Sequence, residues 1–213
     1  MTRYVLNRAF NTSVKRTERV LEIAEAFGLG LSDTQFVVYD NLELEVNAGD
    51  VVYITGQSGS GKSLALKDLA AQMEAGGLDI ADLNQVELDP DLPAIDQVGA
   101  SMTEATDLLS KAGISDAYIY LRRPHELSDG QRYRLKLAKV MSSTADVWVA
   151  DEFGAVLDRV TAKAVAFSMQ KVARRMGKIF MVATTHTDLV EELAPSLTII
   201  KRFREKVELQ HGA

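Results

Sequence analysis

The order of apolar and polar residues predicts that the first quarter of the chain forms strands. Residues 36–46 end in strict alternation, with Leu42, Leu44 and Val46 separated by glutamates. Such alternation is typical of a strand with one face in water, so we expect an antiparallel, half-exposed sheet here. A shorter apolar stretch at residues 20–27 predicts an earlier strand.

From residue 51 onward the pattern changes to short apolar runs that alternate with amphipathic stretches. The runs predict strands at residues 51–54, 147–150, 179–183 and 197–200, and the stretches predict helices at 64–73, 103–112, 132–142, 161–176 and 188–193. Alternating strands and helices favour an α/β fold, in which a mainly parallel sheet carries helices on both faces.

A glycine-rich segment lies between the first of these strands and its helix. It consists of Gly56, Gln57, Ser58, Gly59, Ser60, Gly61, Lys62 and Ser63, and it fits the pattern G-x-x-x-x-G-K-[ST] at every specified position. Glycines let backbone N–H groups surround phosphate oxygens, and the helix N-terminus adds further donors. We expect Lys62 to reach the β- and γ-phosphates and Ser63 to bind Mg²⁺. The alternative, a Gly/Ser-rich turn that only begins a helix, is disfavoured by the flanking strand.

A second pair of segments carries further chemistry. Leu127-Ser128-Asp129-Gly130-Gln131 precedes the helix predicted at residues 132–142, and Asp151-Glu152 follows the strand predicted at 147–150. A buried strand that ends in two carboxylates places one for Mg²⁺ and the second beside a γ-phosphate, where it polarises water. Taken alone, the first segment also fits an ordinary helix start with Ser128 as the N-cap.

These segments together resemble the ATP-binding cassette (ABC) ATPases. The segment 127–131 is similar to the signature of that family, with Asp129 in place of the usual second glycine, and residues 155–158 are similar to its D-loop. His186 resembles the switch histidine, and Gln97 is the best candidate for the Q-loop glutamine. Phe27 lies where the family places an aromatic ring against adenine. Taken singly, a histidine or an aromatic ring at a strand end is more often structural, and Gln97 alone carries almost no information.

The resemblance implies a P-loop fold of ABC type and a catalytic unit made of two copies. Two subunits would stack head to tail as a homodimer with two ATP molecules between them. Ser128, Gly130 and Gln131 would then contact the nucleotide bound to the other subunit, and Asp158 would transmit signals between subunits. The carboxylate of Asp129 would have to point away from the phosphates or be screened.

The same resemblance implies roles for the residues beside the γ-phosphate. Glu152 would act as the general base toward water, and His186 would hold the γ-phosphate. Lys62 and Gln97 complete the expected catalytic set. The Mg²⁺ that accompanies ATP would be bound by Ser63, Gln97 and Asp151.

A narrower resemblance concerns the soluble ABC-type ATPases that are often fused to a predicted acetyltransferase-like domain. It rests on Tyr39-Asp40-Asn41-Leu42, on residues 183–189 and on the segments around the signature and the carboxylate pair. We therefore expect a soluble, non-transporter motor or switch, which acts on an acetyltransferase-like partner supplied in trans or stands alone in a different process. Only 29 residues, 98–126, separate Gln97 from the signature. This small region argues against the first alternative, an ATP-binding subunit with a separate permease. A second alternative is a DNA maintenance or repair ATPase.

Composition and charge set the remaining expectations. With 213 residues, 46% of them hydrophobic, the chain is expected to form one ATPase domain at 20–213, with a short helical subdomain at about 98–144. No cysteine is present, which excludes disulfides and thiolate sites. No signal-like or membrane-spanning run occurs, so a cytoplasmic protein is expected. Residues 1–19 carry five basic side chains against Glu18 and predict either a nucleic-acid-binding arm or a solvated terminus.

Overall fold

The computed structural model describes residues 2–32, 34–203 and 205–212. Strands and helices alternate along most of the chain. In order they are β1 (Thr2–Thr12), α1 (Glu18–Phe27), β2 (Thr34–Val46), β3 (Val51–Gly56), α2 (Lys62–Ala75), β4 (Ile80–Asp82), α3 (Met102–Lys111), α4 (Ala117–Tyr120), α5 (Asp129–Met141), β5 (Val147–Ala150), α6 (Arg159–Met176), β6 (Ile179–Thr184), α7 (Val190–Leu193), β7 (Leu197–Lys201) and β8 (Glu208–His211).

The main sheet has the strand order β4-β5-β6-β3-β7-β8. Its strands pair in parallel except β8, which pairs antiparallel with β7. Strands β3, β5 and β6 are buried along almost their whole length, as expected for a sheet covered on both faces. One face packs through Trp148 and Phe180, and the other packs through Val149 and Met181. The predicted α/β fold with a mainly parallel core is therefore confirmed.

A separate antiparallel sheet is formed by β1 and β2, which pair from Thr2↔Val46 to Thr12↔Thr34. The antiparallel sheet expected at residues 36–46 is thus present. Its first strand, β1, differs from the basic arm that the charges of residues 1–19 predict. Leu6 is fully buried, and the backbone of Val5 exchanges hydrogen bonds with the side chain of Gln72 on α2.

Two of the basic side chains near the N-terminus have acidic partners within the chain. Arg8 forms two hydrogen bonds with Asp68 on α2, at 2.5 and 3.0 Å, and Arg3 pairs with Glu43 on β2. The positive charges of Arg3 and Arg8 are therefore paired within the chain. Two of the five basic residues that favour a nucleic-acid-binding arm thus have partners in the protein itself.

The strand predicted at residues 20–27 is wrong, since these residues lie in α1. Val20, Ala24 and Phe27 recur at helical spacing, and Gly28 ends the helix with a φ of +62° while its N–H donates to the carbonyl of Glu25. Most apolar side chains of α1 are exposed. The helix is therefore only loosely packed on the rest of the molecule.

A helical region connects β4 to β5 and includes α3, α4 and α5. The helix predicted at 103–112 is α3, whose N-terminus is capped by Ser101 through a hydrogen bond from the backbone N–H of Glu104. Three-residue or four-residue 3₁₀ turns at Leu83–Gln85, Ala94–Gln97 and Pro124–Glu126 join the parts. Within the described residues, no helix is both long and apolar enough to cross a membrane.

We predict that Leu6→Ala lowers the free energy of unfolding by about 2–5 kcal/mol, because it leaves a cavity between β1 and the helix of the phosphate loop. Val5→Ala is the matched control, since Val5 is exposed on the same strand. Urea unfolding of both variants checks this prediction. Equal stabilities would contradict the assignment of β1 to the folded core.

Candidate nucleotide site

The segment between β3 and α2 follows a path that only glycine permits at certain positions. Gly56 has a φ of +138° and Gly61 a φ of +104°, both outside the range that other residues favour. A Cβ atom on Gly56 would lie 1.8 Å from the carbonyl oxygen of Lys201, and one on Gly61 would lie 2.5 Å from the side chain of Val38. The loop is therefore fixed in shape by its neighbours β7 and β2.

Lys62 begins α2, and its side chain folds back over this loop. Its Nζ donates a hydrogen bond to the carbonyl of Gln57 at 2.6 Å, and the residue is buried. Burial lowers the pKa of Lys62, while the charges of Asp151 and Glu152 act in the opposite direction. The ammonium group thus lies beside the loop backbone, where it can neutralise a phosphate bound there.

Ser63 and Asp151 meet although they are far apart in the sequence. The hydroxyl of Ser63 donates to Asp151 Oδ1 at 3.0 Å, and the same oxygen accepts the backbone N–H of Glu152 at 3.0 Å. A hydroxyl and a carboxylate are hard oxygen ligands, and Mg²⁺ in nucleotide sites is bound by such groups together with phosphate oxygens. The pair fits the magnesium ion expected from the sequence.

Glu152 has an unusual backbone conformation directly after β5. Its φ is +51°, which costs roughly 1–3 kcal/mol for a residue with a side chain and is typical of functional sites. Glu152 is exposed and lines a cleft of about 620 Å³ together with loop and strand-end residues that include Ser58, Lys62, Ser63, Asp151 and Thr185. The candidate general base therefore faces the same space as the phosphate loop.

His186 follows β6 and comes directly after Thr185, which lines the cleft, but His186 is not itself among the lining residues. Its backbone N–H donates to Thr184 Oγ1 at 3.2 Å, its carbonyl accepts the hydroxyl of Tyr53, and its ring Nδ1 lies 3.3 Å from Arg159 Nη1. Thr184 also donates to the carbonyl of Phe153 at 3.1 Å. The segment after Glu152 and the segment that carries His186 are therefore held together.

The signature-like residues lie at the N-terminus of α5 and do not line the cleft. The hydroxyl of Ser128 accepts the N–H of Gln131 at 3.3 Å, and Gln131 Oε1 accepts the N–H of Ser128 at 2.9 Å. This arrangement is a capping box. In a single chain, Ser128 and Gln131 therefore form an ordinary helix start, which is one of the two interpretations that the sequence allows. Gly130 lies between them and is half-buried, and its carbonyl accepts a hydrogen bond from Arg134 Nε at 3.2 Å. Within one chain these residues do not reach the phosphate loop.

Asp129 is exposed, and its carboxylate is paired with Arg132. The guanidinium of Arg132 also donates to the carbonyls of Leu127 at 2.9 Å and Pro124 at 3.2 Å. The resemblance to the family predicts a screened or averted carboxylate at this position, and Arg132 provides the screening charge. Arg132 was not singled out from the sequence, although its spacing of three residues from Asp129 on a helix is a signal for such a pair.

The segment between Glu152 and α6 is attached to both neighbouring helices. Asp158 caps α6, accepting the N–H of Thr161 at 3.0 Å and its hydroxyl at 2.6 Å, and these hydrogen bonds lower the pKa of Asp158. The N–H of Gly154 donates to the hydroxyl of Tyr133 on α5 at 2.9 Å. The signature helix and the carboxylate segment are thus in direct contact within one chain.

Two residues chosen from the sequence lie elsewhere. Gln97 uses its side-chain amide to hold the acidic loop: its Oε1 accepts the N–H of Asp89 at 2.9 Å, and its Nε2 donates to the carbonyls of Asp89 and Leu92. Phe27 ends α1 with 72% of its surface exposed, rather than lying at a strand end. Neither lines the cleft.

An aromatic surface closer to the phosphate loop was missed. The rings of Phe36 and Phe203 stack with centroids 6.1 Å apart, and the N–H of Phe203 donates to Gln57 Oε1 at 3.3 Å. Nothing in the spacing of these residues indicates their proximity, because they come from β2 and from the segment after β7.

The model of the protein family described as "ABC transporter" matches residues 39–155, which is more than half of the chain. The chain belongs to the ABC transporter family. It is therefore an ABC ATPase, and its nucleotide is ATP with Mg²⁺. The family match includes the phosphate loop, the signature segment and the two carboxylates.

Individual relatives of this ABC ATPase are distant. The methionine import ATP-binding protein MetN of Helicobacter hepaticus is 24% identical over 199 residues, which cover 78% of this chain and 56% of that protein. The lipoprotein-releasing system ATP-binding protein LolD 1 of Caulobacter vibrioides is 26% identical over 213 residues, covering 83% and 89%. The chain spans little more than half the length of the first of these relatives.

Solved structures support the fold. The dimeric bacterial ABC transporter cassette MJ0796 superposes with a TM-score of 0.63 at 21% identity, covering 84% of this chain and 94% of that one. Its dimeric post-hydrolysis form with ADP and Pi gives a TM-score of 0.64 at 20% identity, covering 99% and 100%. At this identity the comparison establishes the cassette fold alone.

We predict that Tyr133→Phe lowers the free energy of unfolding by about 1–3 kcal/mol, because the buried N–H of Gly154 loses its acceptor. Tyr118→Phe is the control, since that side chain is exposed. Urea unfolding curves of the two variants provide the measurement. If both variants match the unsubstituted protein, the contact between α5 and the carboxylate segment contributes nothing to stability.

Proposed function

We propose that two copies of this chain bind two ATP molecules with Mg²⁺ between them, head to tail, and hydrolyse them. One observation carries the proposal. The phosphate loop, the Ser63–Asp151 pair and Glu152 share one cleft, whereas Ser128, Gly130 and Gln131 of the same chain lie outside it. A second copy supplies the missing signature segment.

Within the cleft, each residue has a role that follows from its position. The loop N–H groups and Lys62 bind the phosphates, and Ser63 and Asp151 hold Mg²⁺, which neutralises phosphate charge. Glu152 accepts a proton from the attacking water. His186 donates to the γ-phosphate. Gln97 and Phe27 have no part in the proposal, because their side chains lie elsewhere.

Across the dimer, the N-terminus of α5 meets the γ-phosphate bound to the other copy. A helix of 13 residues presents free N–H groups and a positive dipole end there, and Gly130 allows close approach. Asp129 would oppose this contact by like-charge repulsion, and its pairing with Arg132 reduces that repulsion. Asp158, the N-cap of α6, transmits the nucleotide state of one ATP site to the other.

The partner that the ATP cycle drives is proposed to be a membrane permease. The names of MetN and LolD, an import protein and a lipoprotein-releasing protein, support this alternative over a stand-alone motor. The chain itself offers an apolar groove in the helical region, in which Met102 is 79% and Leu121 70% exposed. Exposed apolar surface of this kind is typical of an interaction site. No contact in the described residues favours an acetyltransferase-like or nucleic-acid partner.

We predict that Glu152→Gln lowers the rate of phosphate release by about 10²–10⁴-fold while ATP binding is kept, because the amide cannot accept the proton. Lys62→Ala, in contrast, weakens ATP binding itself. Phosphate release and nucleotide titration separate the two effects. Glu191→Gln, which changes an exposed carboxylate on α7, is the control. Normal turnover of Glu152→Gln would remove the general-base role.

We also predict that tagged Glu152→Gln protein captures a multi-spanning membrane protein from solubilised host membranes with ATP-Mg²⁺ but not with ADP. The double variant Met102→Glu, Leu121→Glu in the same background is expected to lose this partner, because charges are placed in the groove. Val190→Glu, at an exposed apolar position on α7, is the control. Capture of soluble proteins or nucleic acid alone would contradict the permease proposal.

A further inference from the structure

We infer that Arg159 is a positioning residue that fixes the tautomer of His186, so that the Nε2 atom of the imidazole carries the proton. The inference concerns the ligand-free chain, and its consequence for catalysis rests on the proposed function of His186. Arg159 is the first residue of α6 and directly follows Asp158, the last residue of the segment that resembles the D-loop.

The contact between the two side chains has only one possible direction. Arg159 Nη1 lies 3.3 Å from His186 Nδ1. A guanidinium group has five N–H donors and no acceptor, and it stays protonated, so it can only donate. His186 Nδ1 must therefore be an unprotonated acceptor. In a neutral imidazole one nitrogen carries the proton, which places it on Nε2.

Arg159 is itself held in place for this contact. Its Nε pairs with a carboxylate oxygen of Asp188, which lies two residues beyond His186. One guanidinium thus contacts a carboxylate through one nitrogen and the imidazole through another. Asp188 comes from the same loop as His186, so the loop and the start of α6 move together. In metal sites, a hydrogen bond to the second ring nitrogen of a histidine fixes its tautomer and orientation in the same way.

The backbone of His186 is fixed from two other directions. Tyr53, fully buried on β3, donates its hydroxyl to the carbonyl of His186, and burial raises the pKa of Tyr53, which keeps that proton in place. Thr184 accepts the N–H of His186 at 3.2 Å. With the backbone held, the remaining freedom lies in the ring, and the ring contact is made by Arg159.

The tautomer decides what His186 can offer to a phosphate. With the proton on Nε2, the ring nitrogen opposite Arg159 is a hydrogen-bond donor, and phosphate oxygens are acceptors. With the proton on Nδ1, Nε2 would present a lone pair to the same oxygens and repel them. Arg159 therefore makes a neutral histidine into a donor without a change in its charge.

The test is a long-range ¹H–¹⁵N correlation spectrum of ligand-free protein labelled with ¹⁵N-histidine, recorded above the pH at which histidine is charged. The chain has three histidines, and replacing His125 and His211 one at a time assigns the signals of these two residues. We expect one dominant Nε2–H tautomer for His186. Arg159→Met, which removes the donor at similar length, should give a mixture of tautomers, and Arg159→Lys should restore Nε2–H. Arg175→Met, at an exposed position on α6, is the control.

Turnover is measured on the same variants. We expect Arg159→Met to lower kcat by about 10–100-fold, as substitution of such outer partners does, with little change in ATP affinity, and Arg159→Lys to recover most of it. An Nδ1–H tautomer in the unsubstituted protein, or no change of tautomer in Arg159→Met, would overturn the inference. A changed tautomer with normal turnover would leave the tautomer assignment intact and would instead contradict the role of His186 in the proposed function.

Discussion

The candidate site depends above all on the parallel register of three neighbouring strands. Thr55 of β3 lies opposite Thr184 of β6, and Ala150 of β5 lies opposite Val182 of β6. The carboxyl ends of these strands therefore lie at the same edge of the sheet, with β5 ending two residues short of the end of β6. The phosphate loop, the two carboxylates and His186 each follow one of those ends, and a shift of register by one residue would separate them. Open α/β sheets bind ligands at this edge for the same reason.

A second constraint is that one chain supplies only part of the site. The start of α5 is in contact with the carboxylate segment through Tyr133 and Gly154, yet its free N–H groups do not face the cleft of the same chain. A surface with this orientation is suited to a ligand held by another molecule. Asp129 pairs with Arg132 at the start of α5, and Arg159 contacts His186 at the start of α6.

Much of the core could be predicted from the sequence, because its signals are local and strong. The strands β3, β5 and β6 begin with uninterrupted apolar runs, and β7 is apolar from residue 197 to 200 except for Thr198. The phosphate loop is a tight pattern in which several glycines are required by geometry. The failures have physical reasons. Residues 20–27 contain apolar side chains at helical spacing, but their density suggested a strand, and β1 was obscured by basic residues whose partners lie on β2 and α2. Gln97 was chosen by its order along the chain, which does not reveal that its amide binds its own loop. The position of Phe27 at the end of an exposed helix could not be inferred from an apolar residue alone.

If each ATP site is made from two chains, two variants that are inactive for different reasons should complement each other. Glu152→Gln lacks the general base. Gly130→Glu places a negative charge in the signature segment. The added side chain fits there, because a Cβ atom on Gly130 would lie at an ordinary contact distance, 3.5 Å, from the carbonyl oxygen of Val156. Both variants should be inactive alone, and Gly130→Glu should still bind ATP with its own phosphate loop. An equal mixture is predicted to hydrolyse ATP, since mixed dimers contain one intact site. A mixture as inactive as its components, or full activity of Gly130→Glu alone, would contradict the account.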